Sequence, residues 1–477
     1  MVYCRKGNID LDCRTAPVLS SNSPLYDGKH MNVSPLELAS RFGSAPTAPD
    51  APDALAASAD LTAADHRRGE PPRILLATTG ALPSTARLAL ELHDAGARVS
   101  LISPRHHPGR VLDIFDSRMI YRAIAPCRSL EAALMRTGPD LVIPCDERAV
   151  RDLHQLYRGT SHRGLRLLIQ RSIGCAETFP VVTSRAELLD LARRLGVRVP
   201  PSAPLPSVGA LDEWMAGNAA PFVLKADGSW SGFGVRIIAD PAAAKAEFAD
   251  MTRRASGRLA LREMVLEGNN FAARSWLKGE RPTMSAQGYV NGWPANIGVA
   301  CWQGEVLAAT CVESVSTLSA TGPSTVARII DNREMTDSAR RIVKALGLSG
   351  LIGFDFMIEA ATGAAYLIEM NPRCTPICAV RLGPGRDLAE ALVARLSHRP
   401  PRERPARTER DILVFFPDTW QVDPGNPYLH AGYHDVPWDQ PKLVRILMRP
   451  EMRDRYAVTR MLRRAWWRLQ GRKPPAN

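Results

Sequence analysis

Two short runs late in the chain, GFDFMIE (353–359) and AAYLIEM (364–370), alternate apolar and polar positions on either side of an ATG turn. That pattern predicts a β-hairpin with a three- to five-residue loop. In such a hairpin Asp355 and Glu369 point to the same face, and Asn371, two residues beyond Glu369, stays on it through the strand period of two. Arg373 follows on the same parity after Pro372, which ends the strand. Two carboxylates and an amide oxygen suit Mg²⁺, a hard cation that takes oxygen ligands and is commonly shared with substrate phosphates. A solvated hairpin face accounts for the same acids, because charged outward faces are routine in antiparallel sheets.

Upstream, the pattern switches period several times. RILLATT (73–79) reads as a buried strand, TARLALELHDAG (85–96) as an amphipathic helix closed by Gly96, and ARVSLIS (97–103) as a second strand, together a βαβ unit. YRAIAP (121–126), the helix SLEAALMRTG and PDLVIPCD repeat the order, so a small parallel α/β domain is expected over 71–170. Its first turn, TTGALPST, has one glycine and no lysine, which excludes both a dinucleotide fingerprint and a P-loop. Asp146 and Glu147 follow a strand end, where open sheets bind ligands, although helix capping explains them equally.

From Ser184 the order becomes helix (SRAELLDLARRLG), Pro-rich passage, strand PFVLKAD, loop GSWSGFG and strand VRIIAD. Small residues in such a loop let backbone N–H groups approach phosphates, with Lys225 as the adjoining cation; a plain glycine-rich hairpin tip is the other reading. The strand RLALREMVLEGNN can present backbone groups to an adenine edge. Residues 1–70, rich in Ala, Pro, Ser and Asp, have little periodic apolar content and are expected to be disordered.

Composition adds limits. The 477 residues are 45% hydrophobic and 23% charged, an ordinary soluble balance, and no apolar run is long enough to span a membrane. The N-terminus lacks an apolar h-region, so no secretory signal is expected. Nine scattered cysteines fit a reducing, cytoplasmic setting better than a disulfide framework. Of the net charge of +12, nine lie between Pro441 and Asn477, where eleven Lys or Arg face Glu451 and Asp454. The body is nearly balanced and has no nucleic-acid motif, so no nucleic-acid partner is expected. The tail helix MRDRYAVTRMLRRAWWRLQGR suits either an anionic membrane surface or an acidic partner, or it packs on the body.

On LIEMNPR with Asp355 fourteen residues before Glu369, VLKADGSWSGFGV and LREMVLEG, the chain from about Arg73 to Asp387 resembles the ATP-grasp superfamily, most closely its carbamoyl phosphate synthetase and biotin carboxylase branch. The resemblance implies a parallel α/β pre-ATP-grasp domain (71–170), a two-lobed α+β ATP-grasp domain (171–397) and a C-terminal extension (398–477). It implies ATP with Mg²⁺, or Mn²⁺ in its place. Asp355, Glu369 and Asn371 would hold the metal, and Arg373 would stabilise the transferring phosphoryl group. Lys225 would contact phosphates, as would Arg185 in place of the family's earlier lysine. Gly228, Ser229, Ser231, Gly232 and Gly234 would close over the nucleotide, Glu263, Met264 and Val265 would meet adenine, and Asn270, replacing the usual acid, would bond ribose.

The activity implied is a carboxylate–amine ligase that activates a small-molecule or peptide carboxylate as an acyl phosphate and releases ADP. A bicarbonate-phosphorylating, carbamoyl phosphate synthase-like enzyme and a non-catalytic ATP-binding scaffold are the alternatives. No protein nucleophile is required, so His430 and His434 in HAGYH are given no covalent role. Arg274, Arg328, Arg381 and Arg386 are weighed as partners of the acceptor's carboxylate.

Overall fold

A computed structural model describes residues 70–226, 234–252, 283–318 and 321–449. The first sheet is parallel, built from β1 (Arg73–Ala77), β2 (Arg98–Ser103), β3 (Phe115–Ile120) and β4 (Leu141–Pro144) in the order β3-β2-β1-β4. Residues 74–77 and 99–103 are buried without interruption, as expected of strands covered on both faces. Helix α1 (Pro83–Asp94) begins on a proline whose missing N–H costs the first turn nothing, and α2 (Pro126–Thr137) ends at Gly138 with φ of 46°, a left-handed cap that glycine adopts freely. Helices α3 (Glu147–Gly159) and α4 (Arg163–Ile173) follow β4.

One strand was misplaced by pattern. The third strand is FDSRMI, not YRAIAP; Pro126 opens α2, and Tyr121 has already left the sheet to donate from its hydroxyl to Asp152 at 2.5 Å. As the sheet's edge, β3 alternates buried and exposed residues, which hides it from a search for continuous apolar runs.

A short helix α5 (Phe179–Thr183) and α6 (Arg185–Arg194) lead to a four-stranded antiparallel sheet in the order β5-β8-β6-β7. Its strands are β5 (Ser202–Pro204), β6 (Phe222–Ala226), β7 (Val235–Ile238) and β8 (Met284–Gly288), with α7 (Val208–Gly217) and α8 (Ala244–Met251) contributing to one apolar cluster around Trp214, Phe222 and Phe248.

The largest sheet has seven strands in the order β13-β12-β9-β10-β11-β14-β15. They are β9 (Gly292–Trp302), β10 (Glu305–Thr317), β11 (Ser324–Ile330), β12 (Gly350–Glu359), β13 (Ala365–Asn371), β14 (Ile412–Val414) and β15 (Tyr433–His434). Helix α9 (Arg333–Leu346) covers one face. The Asn332 side chain caps its start by accepting from the Met335 N–H, and Gly347 closes its end in the left-handed region. Helix α10 (Leu388–Leu396) lies on the other face, between the sheet and α1.

The C-terminal segment returns across the molecule. Arg404 makes two hydrogen bonds to Asp387 at 2.8 and 2.9 Å, and Arg407 pairs with Glu91 of α1 at 3.0 Å. Buried Arg87 of α1 bonds Asp435, and β14 joins β11 antiparallel. Among the described residues no helix is long and apolar enough to cross a membrane. The basic tail helix and the N-terminal extension lie outside the described residues.

Candidate nucleotide and metal site

The β12–β13 hairpin sets Asp355 directly opposite Glu369 and Gly353 opposite Asn371. Phe354, Phe356 and Ile358 fill the core on one face, which leaves Asp355 on the other. A register shift follows the Asp355–Glu369 pair, so that Phe356 faces Leu367. This bulge lets Leu367 and Met370 both stay buried while Glu369 and Asn371 share the acidic face.

The side chains on that face are joined. Asn371 Nδ2 donates to Asp355 Oδ2 at 2.8 Å, while its Oδ1 accepts from Arg373 Nη2 at 3.2 Å. Arg373 also donates from Nε to Glu147 Oε1 at 2.6 Å and from Nη1 to the Cys374 carbonyl. Arg185, at the first position of α6, donates from Nη2 to Glu369 Oε1 at 2.7 Å. It is thus placed against the acid itself, with a side chain only 8% exposed.

The electrostatics separate the two carboxyls. Burial and the Glu369 charge push Asp355 up to about 6, against the Asn371 hydrogen bond and the charges of Arg373 and Lys225. Burial acts upward on Glu369 as well, but Arg185, Lys225 and Arg373 together hold it below its ordinary value. Burial opposes the Arg373 charge, and the Glu147 carboxylate outweighs it, so Arg373 is raised. Lys225, buried in β6, therefore acts on both acids from a different sheet. The Ala226 N–H donates to the Gly234 carbonyl at 2.8 Å, so the two ends of the glycine-rich loop are tied together. Gly228, Ser229, Ser231, Gly232, Glu263, Met264, Val265 and Asn270 lie outside the described residues.

The donor set fits a hard divalent cation. Two carboxylates that repel each other and one amide oxygen are what Mg²⁺ prefers, and a cation between them would relieve the repulsion that raises Asp355. Among the described residues no cluster of three or more His, Cys, Asp or Glu side chains offers a softer metal an alternative.

The β4–α3 junction borders this site, and its two acids divide the work. Asp146 caps α3 by accepting from the Ala149 N–H at 2.9 Å, and it also accepts from Thr78 Oγ1, from the Thr79 N–H and Oγ1, and from the Gly80 N–H. It locks the first turn of the parallel sheet. Glu147 faces the opposite way, towards Arg373. Sequence reasoning missed that pairing; the one available signal was the acid at the end of β4, beside β1, where open sheets present their loops. A small cleft of about 60 Å³ is lined by Glu147, Arg151, Ser184, Arg185, Glu369 and Met370, among others.

Of the arginines weighed for the acceptor's carboxylate, Arg274 lies outside the described residues and the other three are engaged elsewhere. Arg328 pairs with Glu313 at 2.8 Å, Arg386 with Asp331 at 2.6 Å, and Arg381 lies 3.8 Å from Glu91.

A family model described as the ATP-grasp domain matches residues 202–376. No curated protein matches the sequence. Among solved structures, the chain is similar to N5-carboxyaminoimidazole synthetase from Staphylococcus aureus complexed with ADP (13% identity, 71% of this chain and 81% of that one, TM-score 0.50). It is similar to carboxyaminoimidazole ribonucleotide synthase from Aspergillus clavatus complexed with ATP (12% identity, 71% and 80%, TM-score 0.51). The biotin carboxylase domain of the Hydrogenobacter thermophilus 2-oxoglutarate carboxylase, in complex with MgADP, ADP and bicarbonate, is a third (15% identity, 71% and 71%, TM-score 0.50). At these identities the likeness is one of fold. The chain carries an ATP-grasp domain, set in the ATP-grasp fold and following a parallel α/β unit.

Proposed function

We propose that the protein is an ATP- and Mg²⁺-dependent ligase that activates a carboxylate as an acyl phosphate and joins it to an amine. The observation that carries this reading is the β12–β13 face, where Asp355, Glu369 and Asn371 converge beside Arg373 within an ATP-grasp domain and under the charge of Lys225. In this reading Asp355 and Glu369 supply carboxylate oxygens to Mg²⁺, or to Mn²⁺, and Asn371 supplies its amide oxygen. Bound there, the metal would offset the negative charge of the phosphate oxygens around the group being transferred.

The chain's own cations do the rest. Lys225 neutralises phosphate charge from the β6 side, and Arg185, paired with Glu369, adds a second positive charge beside the same acid. Arg373 holds its guanidinium on the transferring phosphoryl group, since phosphoryl transfer depends on positioning and charge stabilisation more than on covalent chemistry. The acceptor carboxylate oxygen attacks the γ-phosphorus, the bond to the ADP oxygen breaks, and the amine then attacks the acyl carbon and displaces phosphate. No side chain becomes covalently modified.

The glycine-rich loop and residues 263–270 complete nucleotide binding in this reading. The segments 71–170, 171–397 and 398–477 are its domains, and the cytoplasm, where free thiols persist, is its compartment. Bicarbonate as the first acceptor is the second reading, favoured by the bicarbonate held in the biotin carboxylase domain that shares the fold.

The test is ADP release from MgATP across pools of carboxylates and amines, with bicarbonate assayed alone. Turnover that requires both an acid and an amine supports the ligase, and turnover with bicarbonate alone supports the second reading. Nucleotide binding without turnover in any pool refutes both. Glu369→Gln is expected to abolish turnover; undiminished activity would remove the metal assignment.

A further inference from the structure

The Glu147–Arg373 pair joins the first α/β unit to the phosphoryl-transfer end of the site, across 226 positions of sequence. Arg373 follows Pro372 on the turn that leaves β13, where a long side chain would otherwise sample many rotamers. Among the described residues three hydrogen bonds hold its side chain, to Glu147, to the Cys374 carbonyl and to Asn371, and of these the Glu147 bond is the one made to an opposite charge. Glu147 is itself well anchored. It is the first residue of α3, where the helix dipole favours a carboxylate, and the preceding Asp146 is tied to Thr78, Thr79, Gly80 and Ala149. A second link runs alongside, from the Cys374 N–H to the Pro144 carbonyl at 3.4 Å.

The junction of β4 and α3 therefore acts as a bracket behind the Arg373 turn. One oxygen of Glu147 accepts from Nε, and Nη2 is turned towards Asn371 on the acidic face. The same Glu147 also lines the cleft that reaches Arg185 and Glu369.

We propose that Glu147 is a positioning residue for Arg373, so that the first α/β unit supplies part of the phosphoryl-transfer machinery. This rests on the role given to Arg373 above. A purely structural ion pair would hold the two units together and leave the chemistry of the folded enzyme unchanged. A positioning residue changes the rate and leaves nucleotide affinity intact.

The experiment compares the full-length chain with Glu147→Ala, Glu147→Gln and Glu147→Asp by two readouts. In turnover, Glu147→Ala is expected to lower kcat roughly 10–100-fold, the scale seen when a group orienting a reactive side chain is lost. KM for MgATP should change less than about threefold and Tm should hold, with Glu147→Asp recovering part of kcat. Adding Arg373→Lys to Glu147→Ala should cost little more, because residues acting as one unit are not additive.

The second readout needs no acceptor: affinity for MgADP alone and for MgADP with aluminium fluoride, which mimics the transferring phosphoryl group. Glu147→Ala should weaken the fluoride complex by a similar factor and leave MgADP unchanged. Equal fluoride affinity in both proteins overturns the proposal, as does a kcat that falls only in step with Tm. Failure of the unaltered protein to bind MgADP would instead overturn the functional reading, and this proposal with it.

Discussion

Gly353, opposite Asn371 in the hairpin, packs closely against Thr375, and adding one methyl group there tests the packing directly. A Cβ on residue 353 would stand 2.4 Å from Thr375 Cγ2, 3.2 Å from its Oγ1 and 3.4 Å from its Cβ. Carbon atoms pack comfortably at about 3.5–4.0 Å, so the Thr375 methyl would have to retreat by about 1 Å or more. Rotating the short β-branched side chain brings another of its atoms into the same space, so the backbone of the 372–375 turn must move. Gly353 is not in the left-handed region, so an L side chain fits the backbone and the effect is steric alone.

Overpacking of this kind costs about 1–3 kcal/mol, and a shift of about 1 Å in a group that contacts the reacting centre can cost about 100-fold in rate. Gly353→Ala should therefore lower the urea midpoint at constant m and reduce kcat more than it raises KM for MgATP. Thr375→Ser removes the clashing methyl, and the double variant should recover most of both losses. Chemical denaturation with turnover on the same preparations reads both quantities. A single variant as stable and active as the parent, or a double variant no better than the single, would refute the reasoning.

Two further outcomes are expected. His154, stacked on Phe179 at 3.8 Å, is pushed down to about 3 by burial and then by Arg158 and Arg151. Its folded pKa lies below the unfolded value of 6.5, so its contribution is complete above pH 6.5 and lost as pH falls towards 3, at about 1.4 kcal/mol per pH unit. Denaturant midpoints measured from pH 7 to 4 should fall more steeply for the parent than for His154→Leu, and parallel slopes would show that this histidine does not titrate on unfolding. Arg404, buried among Asp387, Glu91 and Glu390, should cost about 3–5 kcal/mol when changed to Met, since three carboxylates then lose a partner in the interior; a loss under about 1 kcal/mol in the same assay would mean that water replaces the guanidinium.

The hairpin and the strand–loop–strand around Lys225 were legible because they are local: a period of two and a turn place side chains on faces without reference to the rest of the chain. The parallel unit was legible wherever its strands are buried on both sides. Its edge strand was not, because β3 alternates as an exposed edge must, and the neighbouring YRAIAP resembles a strand more than FDSRMI does. The partners of Arg185 and Arg373 were illegible for a different reason. Ion pairs spanning 184 and 226 residues leave no periodic mark, and a lone acid after a strand reads equally as a cap. Of the two adjacent acids in this protein, Asp146 is the cap and Glu147 pairs with Arg373.

The late return of the chain has a consequence for the order of synthesis. Helix α1 emerges early, yet the partners of its Arg87 and Glu91 lie at Asp435, Arg381, Arg404 and Arg407, and β11 waits for β14 to cover its edge. A nascent chain that has released everything through the β12–β13 hairpin still lacks those partners and exposes one open strand edge. Such surfaces invite pairing with a neighbouring nascent chain. Ribosomal pausing before residue 435 is made would prolong that exposure.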